Sequence, residues 1–210
     1  MATLLPILLL LVTSMLSTSD SDPAQKVTLS MYYETLCPSC SSFTANQLEN
    51  IFSNGLISIV DLRFVPFGNA KILDDGSIDC QHGSDECLLN TVEACAIYAW
   101  PDVTQHFKFI HCVEEMVVDG NYPQWKTCFD KQGLDSQFVL NCAAGNYGKQ
   151  LEYQYGDETA ALEPPRRFVP WVVVNGNPLD DVATFETAVC EAYEGELPEV
   201  CQDLLSTKNK

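Results

Sequence analysis

The sequence predicts an α/β domain whose two halves are separated by a long helical segment. Residues 26–34, KVTLSMYYE, are rich in β-forming residues and partly alternate, which is typical of a strand. Helical spacing follows over residues 38–55, and residues 56–70 return to strand chemistry. Strand, helix and strand within about forty residues make a βαβ unit. Residues 70–163 are mostly helical in pattern, and residues 171–174 then form a short buried strand.

Helices and turns are predicted after the βαβ unit as well. The Asn175-Gly176 pair is typical of a hairpin turn, and a helix is expected at about 182–193. We expect one domain over residues 26–200, with the helical insertion at about 70–163, and a flexible tail over residues 202–210. The insertion has a glycine-rich break at residues 145–148, and its helices are predicted at about 84–100, 102–118, 123–131 and 134–144.

The N-terminal end has the pattern of a secretory signal peptide. Residues 4–16 are mostly apolar, but this run is too short to span a bilayer, and small residues follow it. We expect a signal peptide at about residues 1–19 and no membrane span after its cleavage. With 29 acidic and 11 basic residues, a net charge of −18, the chain repels nucleic acid and anionic membrane surfaces. Neither is expected as a partner.

The ten cysteines are interpreted in the light of this secretory address. Thiols in an oxidising compartment tend to form disulfide bonds, whereas the same number in the cytosol would suggest metal binding or catalysis. Cys87 and Cys95 lie about 12 Å apart along one predicted helix, which is too far for a disulfide bond. The other pairings stay open, and Cys190 with Cys201 is the most local candidate.

Cys37 and Cys40 form a C-x-x-C motif between the first strand and the first helix. At the N-cap, the sulfur of Cys37 faces free backbone amides and the positive end of the helix dipole, which favour the thiolate. We expect this sulfur to be exposed and to titrate at about 5 to 7, and Cys40 to be more buried. A redox-active pair is the favoured interpretation. The alternatives are a static disulfide and half of a zinc site, for which further ligands come from another segment, at Cys80, His82 and Cys87.

Residues 80–95, CQHGSDECLLNTVEAC, resemble the signature of the gamma-interferon-inducible lysosomal thiol reductase family, C-Q-H-G-x-x-E-C-x-x-N-x-x-E-x-C downstream of a C-x-x-C. Two further segments, FVPFGNA at 64–70 and FVPWVVVNGNPL at 168–179, also look like family segments. The resemblance therefore extends over nearly all of the chain after the signal peptide. The fixed positions of the signature are occupied by Cys80, Gln81, His82, Gly83, Glu86, Cys87, Asn90, Glu93 and Cys95.

This resemblance implies a thioredoxin-like fold with a helical insertion, in a DsbA-like arrangement, with Cys37 and Cys40 as the active pair. It implies reduction of disulfide bonds in protein substrates, regeneration of the pair by an external thiol, and no metal or organic cofactor. It also implies work in an acidic endocytic compartment. The chain has no Asn-x-Ser/Thr sequon, a departure from glycosylated lysosomal relatives. The destination is therefore secreted, lysosomal or vacuolar.

Residues outside the pair have expected roles as well. A thioredoxin-like fold places a cis-proline opposite the C-x-x-C motif, so we expect Pro170 to be cis and the Val169 backbone to bind an extended substrate segment. Within the signature, Ser84 is expected to cap the helix that holds Glu86 in its first turn. For His82, a hydrogen-bonded structural role is favoured over proton donation.

Two other functions stay open at this point. The first keeps the chemistry but reverses it, as in a disulfide oxidase or isomerase, because the direction of exchange depends on reduction potential rather than on the motif. The second is a binding protein stapled by disulfide bonds, in which Cys37 and Cys40 form an inert bridge.

Overall fold

A βαβ unit opens the fold, as predicted. The computed structural model describes residues 24–208, so the predicted signal peptide lies outside the described residues. Strands β1 (Val27–Tyr33) and β2 (Val60–Pro66) are parallel neighbours. The crossover between them starts directly after Cys37 and consists of α1 (Pro38–Phe43), a π-helical turn (Thr44–Leu48), α2 (Asn50–Ser53) and a 3₁₀ turn (Leu56–Ile59).

The main sheet has four strands in the order β2-β1-β5-β6. Strand β5 (Trp171–Val174) pairs antiparallel with β1, and β6 (Asn177–Pro178) pairs antiparallel with β5. The turn between β5 and β6 has positive φ angles at Asn175 (45°) and Gly176 (80°), which fits the predicted hairpin. Strand β1, which leads into the C-x-x-C motif, therefore lies between two neighbours inside the sheet.

The helical insertion lies between β2 and β5. It begins with a small hairpin of β3 (Lys71–Ile72) and β4 (Ile78–Asp79), which the sequence analysis does not predict because each strand has only two residues. The helices that follow are α3 (Ser84–Ala99), α4 (Val103–Val118), a 3₁₀ turn (Tyr122–Gln124), α5 (Thr127–Gln132), α6 (Gln137–Ala143) and α7 (Asn146–Ala160). Apart from α7, these helices lie where they are predicted.

Helix α7 departs from the prediction of a break at residues 145–148. Gly145 precedes the helix, but Gly148 lies within its first turn and is buried. A Cβ atom at Gly148 would lie 2.7 Å from the backbone oxygen of Cys142 and from Cγ2 of Thr91. Glycine is needed at this position because α7 packs closely against α3 and α6. The feature that suggested a break is thus a packing contact.

The two largest hydrophobic cores among residues 24–208 support the fold. The first lies between the main sheet and the crossover helices, α4 and α8 (Phe185–Ala192), and it includes Val27, Leu29, Met31 and Tyr33 of β1, as the alternation predicts. The second lies within the insertion, among α3, α4, α5 and α6. Among residues 24–208, no helix combines the length and apolar character needed to cross a bilayer.

The predicted flexible tail is wrong for most of its length. Helix α9 (Glu199–Lys208) occupies this segment, and residues 209–210 lie outside the described part of the chain. Cys201 is fully buried and forms a disulfide bond with Cys190 of α8, and Leu204 packs against the first core. The covalent link and this packing order a segment whose composition alone suggests disorder.

The disulfide bonds agree with the expected limits on pairing. Cys87 and Cys95 do not pair with each other, and Cys190 pairs with Cys201. Cys37 and Cys40 are free thiols. The bonds are Cys80–Cys87, Cys95–Cys142, Cys112–Cys128 and Cys190–Cys201. The zinc hypothesis that uses Cys80 and Cys87 is therefore wrong, because both sulfurs are already bonded.

Candidate active site

The C-x-x-C pair lies where β1 leads into α1. Cys37 is the N-cap of this helix, and its sulfur accepts a hydrogen bond from the backbone N–H of Cys40 at 3.3 Å. Pro38 occupies the first helical turn, where its missing N–H leaves no bond unmade. The Cys40 thiol donates to the Cys37 sulfur over 2.7 Å. The two sulfurs are thus close enough to form a disulfide bond with a small movement.

The two thiols have opposite pKa shifts. The pKa of Cys37 is lowered to about 7, first by the hydrogen bond from the Cys40 thiol and also by the backbone N–H groups of Cys40 and Ser39, while burial opposes this. Burial, followed by the hydrogen bond to Cys37, raises the pKa of Cys40. Helix amides and the helix dipole are expected to contribute to the activation of Cys37, but the largest contribution comes from the thiol of Cys40. Cys37 is also less exposed than expected, at 6%, against 0% for Cys40.

Glu34 supports the loop that carries the pair. Its backbone oxygen accepts a hydrogen bond from the N–H of Cys37 at 3.3 Å. Its buried carboxylate accepts one from the N–H of Asn69 at 2.6 Å, and its negative charge raises the pKa of Cys37. A Cβ atom at Gly68 would lie 2.4 Å from this carboxylate, and its φ angle is +55°, so only glycine fits there. The turn at Gly68 and Asn69 after β2 thus contacts the active-site loop.

The first half of the family signature meets this loop through His82. The ring Nδ1 of His82 lies 2.5 Å from Oε2 of Glu86 and 3.6 Å from Oε1 of Glu34. The N–H of His82 also donates to Oε1 of Glu86 at 3.1 Å. Gly83, with φ at +88°, is the N-cap of α3, and no side chain caps this helix, so the prediction that Ser84 is the cap is wrong. Glu86 instead folds back towards the preceding residues.

The second half of the signature holds the chain just before the pair. The side-chain oxygen of Asn90 accepts a hydrogen bond from the N–H of Thr35 at 3.0 Å, and the Tyr33 hydroxyl donates to the Glu93 carboxyl. In the first half of the signature, the side-chain oxygen of Gln81 accepts a hydrogen bond from the side-chain amide of Asn69 at 2.6 Å. Cys80, Cys87 and Cys95 are in disulfide bonds. The signature therefore positions residues 33–35 and is not itself a second thiol site.

Some residues near the pair are not found by sequence reasoning. Glu114 of α4 is fully buried, and neither of its carboxylate oxygens has a hydrogen-bond partner among the described residues. Burial, and then the charge of Glu93, raises its pKa well above the usual range, and it interacts electrostatically with both cysteines. Arg166 is half-buried, donates to the Asn69 side chain at 2.5 Å, and interacts with Glu34 and Cys40. A charged residue on the apolar face of α4 is the one sequence signal that marks Glu114.

The predicted substrate segment lies at the end of β5 that is nearest the pair. The Val169–Pro170 peptide bond is cis, as predicted. Because Tyr32 pairs with Trp171 in antiparallel register, Pro170 follows at the position opposite Tyr33, the last residue of β1. Val169 is half-buried against the first core. This register brings Val169 and Pro170 to the same end of the strands as the loop before Cys37.

Solved structures confirm the fold. The chain resembles MdbA, a thiol-disulfide oxidoreductase from Actinomyces oris, with a TM-score of 0.60 and 13% identity over 83% of each chain. At this identity the likeness shows the fold, which is thioredoxin-like with a helical insertion. A free C-x-x-C pair at the first helix of such a fold is typical of thiol-disulfide oxidoreductases, and the protein is one of this class.

Sequence comparison then shows the family. The family described as "Gamma interferon inducible lysosomal thiol reductase (GILT)" matches residues 28–132. The "Gamma-interferon-responsive lysosomal thiol protein" of Arabidopsis thaliana is 40% identical over 187 residues, or 86% of this chain and 78% of the relative. The "Gamma-interferon-inducible lysosomal thiol reductase" of Carassius auratus is 37% identical over 188 residues, or 85% and 73%. The chain belongs to the GILT family.

Proposed function

We propose that this protein reduces disulfide bonds in protein substrates, with Cys37 as the nucleophile and Cys40 as the resolving thiol. The Cys37 thiolate attacks one substrate sulfur, and the other leaves as a thiolate and takes up a proton. Cys40 loses its proton, attacks the Cys37 sulfur and releases the second substrate thiolate, which is protonated in turn. An external dithiol returns two electrons and two protons to the pair. The hydrogen bond from Cys40 to Cys37 carries this assignment.

The moderate pKa of Cys37 favours reduction over the opposite direction. A very low pKa would stabilise the reduced enzyme and make it an oxidant, whereas a value of about 7 is only a small step from an ordinary thiol. The name of the Carassius auratus relative also describes a reductase. Reduction is thus better supported than the oxidase or isomerase alternative.

The substrate is expected to bind in an extended form beside Val169. Backbone N–H and C=O groups just before the start of a strand can bind an extended peptide by main-chain hydrogen bonds, whatever the sequence of the peptide. The register that brings Val169 and Pro170 to the pair supports this position. Such binding suits an enzyme whose substrates share a disulfide bond rather than a sequence motif.

The working compartment is expected to be secretory, with a lysosomal, vacuolar or extracellular destination. The relatives from Arabidopsis thaliana and Carassius auratus are both named as lysosomal. Every cysteine outside the C-x-x-C pair is in a disulfide bond, which suits an oxidising route to that destination.

Insulin reduction by the purified protein with a dithiol donor tests the function. We expect turnover by the natural chain and none by Cys37→Ser. An inert bridge predicts equal, background rates for both proteins, and this result would overturn the proposal. The reverse reaction, oxidation of a reduced dithiol peptide in a glutathione buffer, is measured beside it. Faster catalysis in this direction would favour the oxidase alternative.

A further inference from the structure

We propose that Glu34, His82 and Glu86 form a binding site for a divalent cation of the Zn²⁺ class beside the C-x-x-C pair. One nitrogen or oxygen atom from each of these side chains lies within 4.8 Å of the other two. Imidazole and carboxylate groups are ordinary zinc ligands, and three of them leave one position open for water or another ligand. The proposal does not depend on the reductase function.

The distances suit entry of a small cation. Ligand atoms held at about 2.0 to 2.2 Å from a tetrahedral Zn²⁺ ion lie about 3.3 Å apart. His82 Nδ1 is 3.6 Å from Oε1 of Glu34, close to this spacing, and 2.5 Å from Oε2 of Glu86, where a hydrogen bond now exists. A cation that replaces the hydrogen-bonded proton therefore requires this second pair to separate by less than about 1 Å.

Both carboxylates are already oriented by their outer oxygens. The N–H of Asn69 donates to Oε2 of Glu34 at 2.6 Å, and the N–H of His82 donates to Oε1 of Glu86 at 3.1 Å. The inner oxygens, Oε1 of Glu34 and Oε2 of Glu86, face the ring of His82. Oε1 of Glu34 also accepts a hydrogen bond from the side-chain amide of Asn69 at 3.3 Å. Metal-binding carboxylates are typically held by hydrogen bonds of this kind.

Two buried carboxyl groups at this position face a single imidazole ring. The side chains of Glu34 and Glu86 are 1% and 0% exposed, and burying carboxylates is costly unless they are paired. His82 offers at most one positive charge to the two of them. Arg166 interacts electrostatically with Glu34, but its hydrogen bond goes to Asn69. A divalent cation would balance both carboxylates, and the side chain of His82 is 31% exposed.

Zn²⁺ titration by calorimetry tests the site. The protein is the Cys37→Ser/Cys40→Ser double variant, because the free thiols would bind Zn²⁺ themselves. We expect one ion per chain, and a loss of affinity of about tenfold or more when Glu34→Gln or Glu86→Gln is added. The matched control is Glu115→Gln, which belongs to a second group of the same residue types, in which His111 lies 2.6 Å from Glu49 and 3.4 Å from Glu115.

Unchanged affinity in the control, with loss in the other two variants, supports the site. Absence of binding, or an equal loss in all three variants, overturns it. If the added changes unfold the protein, imidazole NMR signals of the double variant decide the matter. Zn²⁺ must then shift the signal of His82 and leave those of His106 and His111 in place. An unmoved His82 signal overturns the proposal.

Discussion

At the scale of single residues, reactivity at the pair follows from which thiol donates the hydrogen bond. The thiol of Cys40, which is fully buried, donates a hydrogen bond to the sulfur of Cys37 at the helix start. The sulfur of Cys37 also accepts hydrogen bonds from backbone N–H groups. A sulfur that accepts such bonds is stabilised as a thiolate, and one that must lose its proton inside the protein is not. The proposed division of roles thus comes from position, since the side chains are chemically identical.

The first prediction concerns trapped intermediates. Cys40→Ser is expected to attack substrate and then accumulate a mixed disulfide through Cys37, because the resolving thiol is absent. Cys37→Ser is expected to trap little, because Cys40 is buried and its pKa is raised. Mass spectrometry of each variant after incubation with a disulfide-bonded protein measures the trapped fraction. Equal trapping by the two variants would contradict the assignment.

The second prediction concerns the thiolate of Cys37. With its pKa at about 7, the alkylation rate of the reduced protein should fall about tenfold per pH unit below pH 7 and level off above it. About 1% of the thiolate remains at pH 5, against less than about 0.1% for an ordinary thiol. Rates from pH 5 to 9 test this, with Cys37 identified by mass spectrometry. A rate that still rises about fivefold between pH 7.5 and 8.5 would show an unactivated thiol.

Local patterns predicted some of these residues and could not predict others. The roles expected of Cys37 and Cys40 depend on neighbours within one helical turn, so a short segment holds the necessary information. Glu114 approaches the pair from α4, and only the folded chain brings it there, whereas Glu34 lies three residues before Cys37. The expected activation by helix amides is incomplete for the same reason, because the orientation of a thiol hydrogen bond cannot be derived from spacing.

At the scale of elements, α3 links the insertion to the active-site loop. Its signature residues hold the loop by hydrogen bonds, and Cys95 bonds it to α6 through Cys142. Long helices with clear periodicity, such as α3 and α4, could be predicted closely. Helices α7 and α9 could not be predicted in this way. Gly148 allows α7 to pack closely against its neighbours, and the Cys190–Cys201 disulfide bond orders α9. In both elements a tertiary contact overrides local composition.

The third prediction compares two disulfide bonds. Cys95–Cys142 closes a separation of 47 residues and Cys190–Cys201 one of 11. In the chain-entropy model these loops contribute about 4 and about 3 kcal/mol to the free energy of unfolding, so replacing the first pair by alanine should cost about 1 kcal/mol more. Urea unfolding of the two double variants measures the difference. A larger loss from the Cys190–Cys201 pair would contradict this order.

At the scale of the whole molecule, buried carboxyl groups make stability depend on pH. Burial raises the pKa of Glu93 to about 8 and those of Glu114 and Glu152 well above the usual range. Above about pH 4.5 the unfolded chain loses these protons and the folded chain keeps them. The folded state therefore binds more protons, and stability falls as pH rises. His106, whose pKa burial lowers, opposes this trend only below about pH 6.5.

The fourth prediction follows from this balance. The free energy of unfolding should be greater at pH 5.5 than at pH 7.5, and Glu152→Gln should reduce the slope by about 1.4 kcal/mol per pH unit. Urea unfolding at several pH values measures it. Glu115→Gln is the control, because its side chain is 56% exposed and the slope should not change. A natural chain that is more stable at pH 7.5 would contradict the prediction.

A protein that reduces disulfide bonds in other proteins can also be a substrate for a second copy of itself. Cys95, Cys128 and Cys201 have no exposed surface, and their partners Cys142, Cys112 and Cys190 are at most 5% exposed. These three bonds are therefore poorly accessible to the Cys37 of a second copy or to the regenerating dithiol. Cys87 is the exception, because it is partly exposed and borders a surface cavity. Its bond to Cys80 encloses His82 and Glu86. Under excess reductant, the Cys80–Cys87 bond would therefore be reduced first, in the segment that holds the active-site loop by hydrogen bonds. The enzyme would then lose activity before it unfolded.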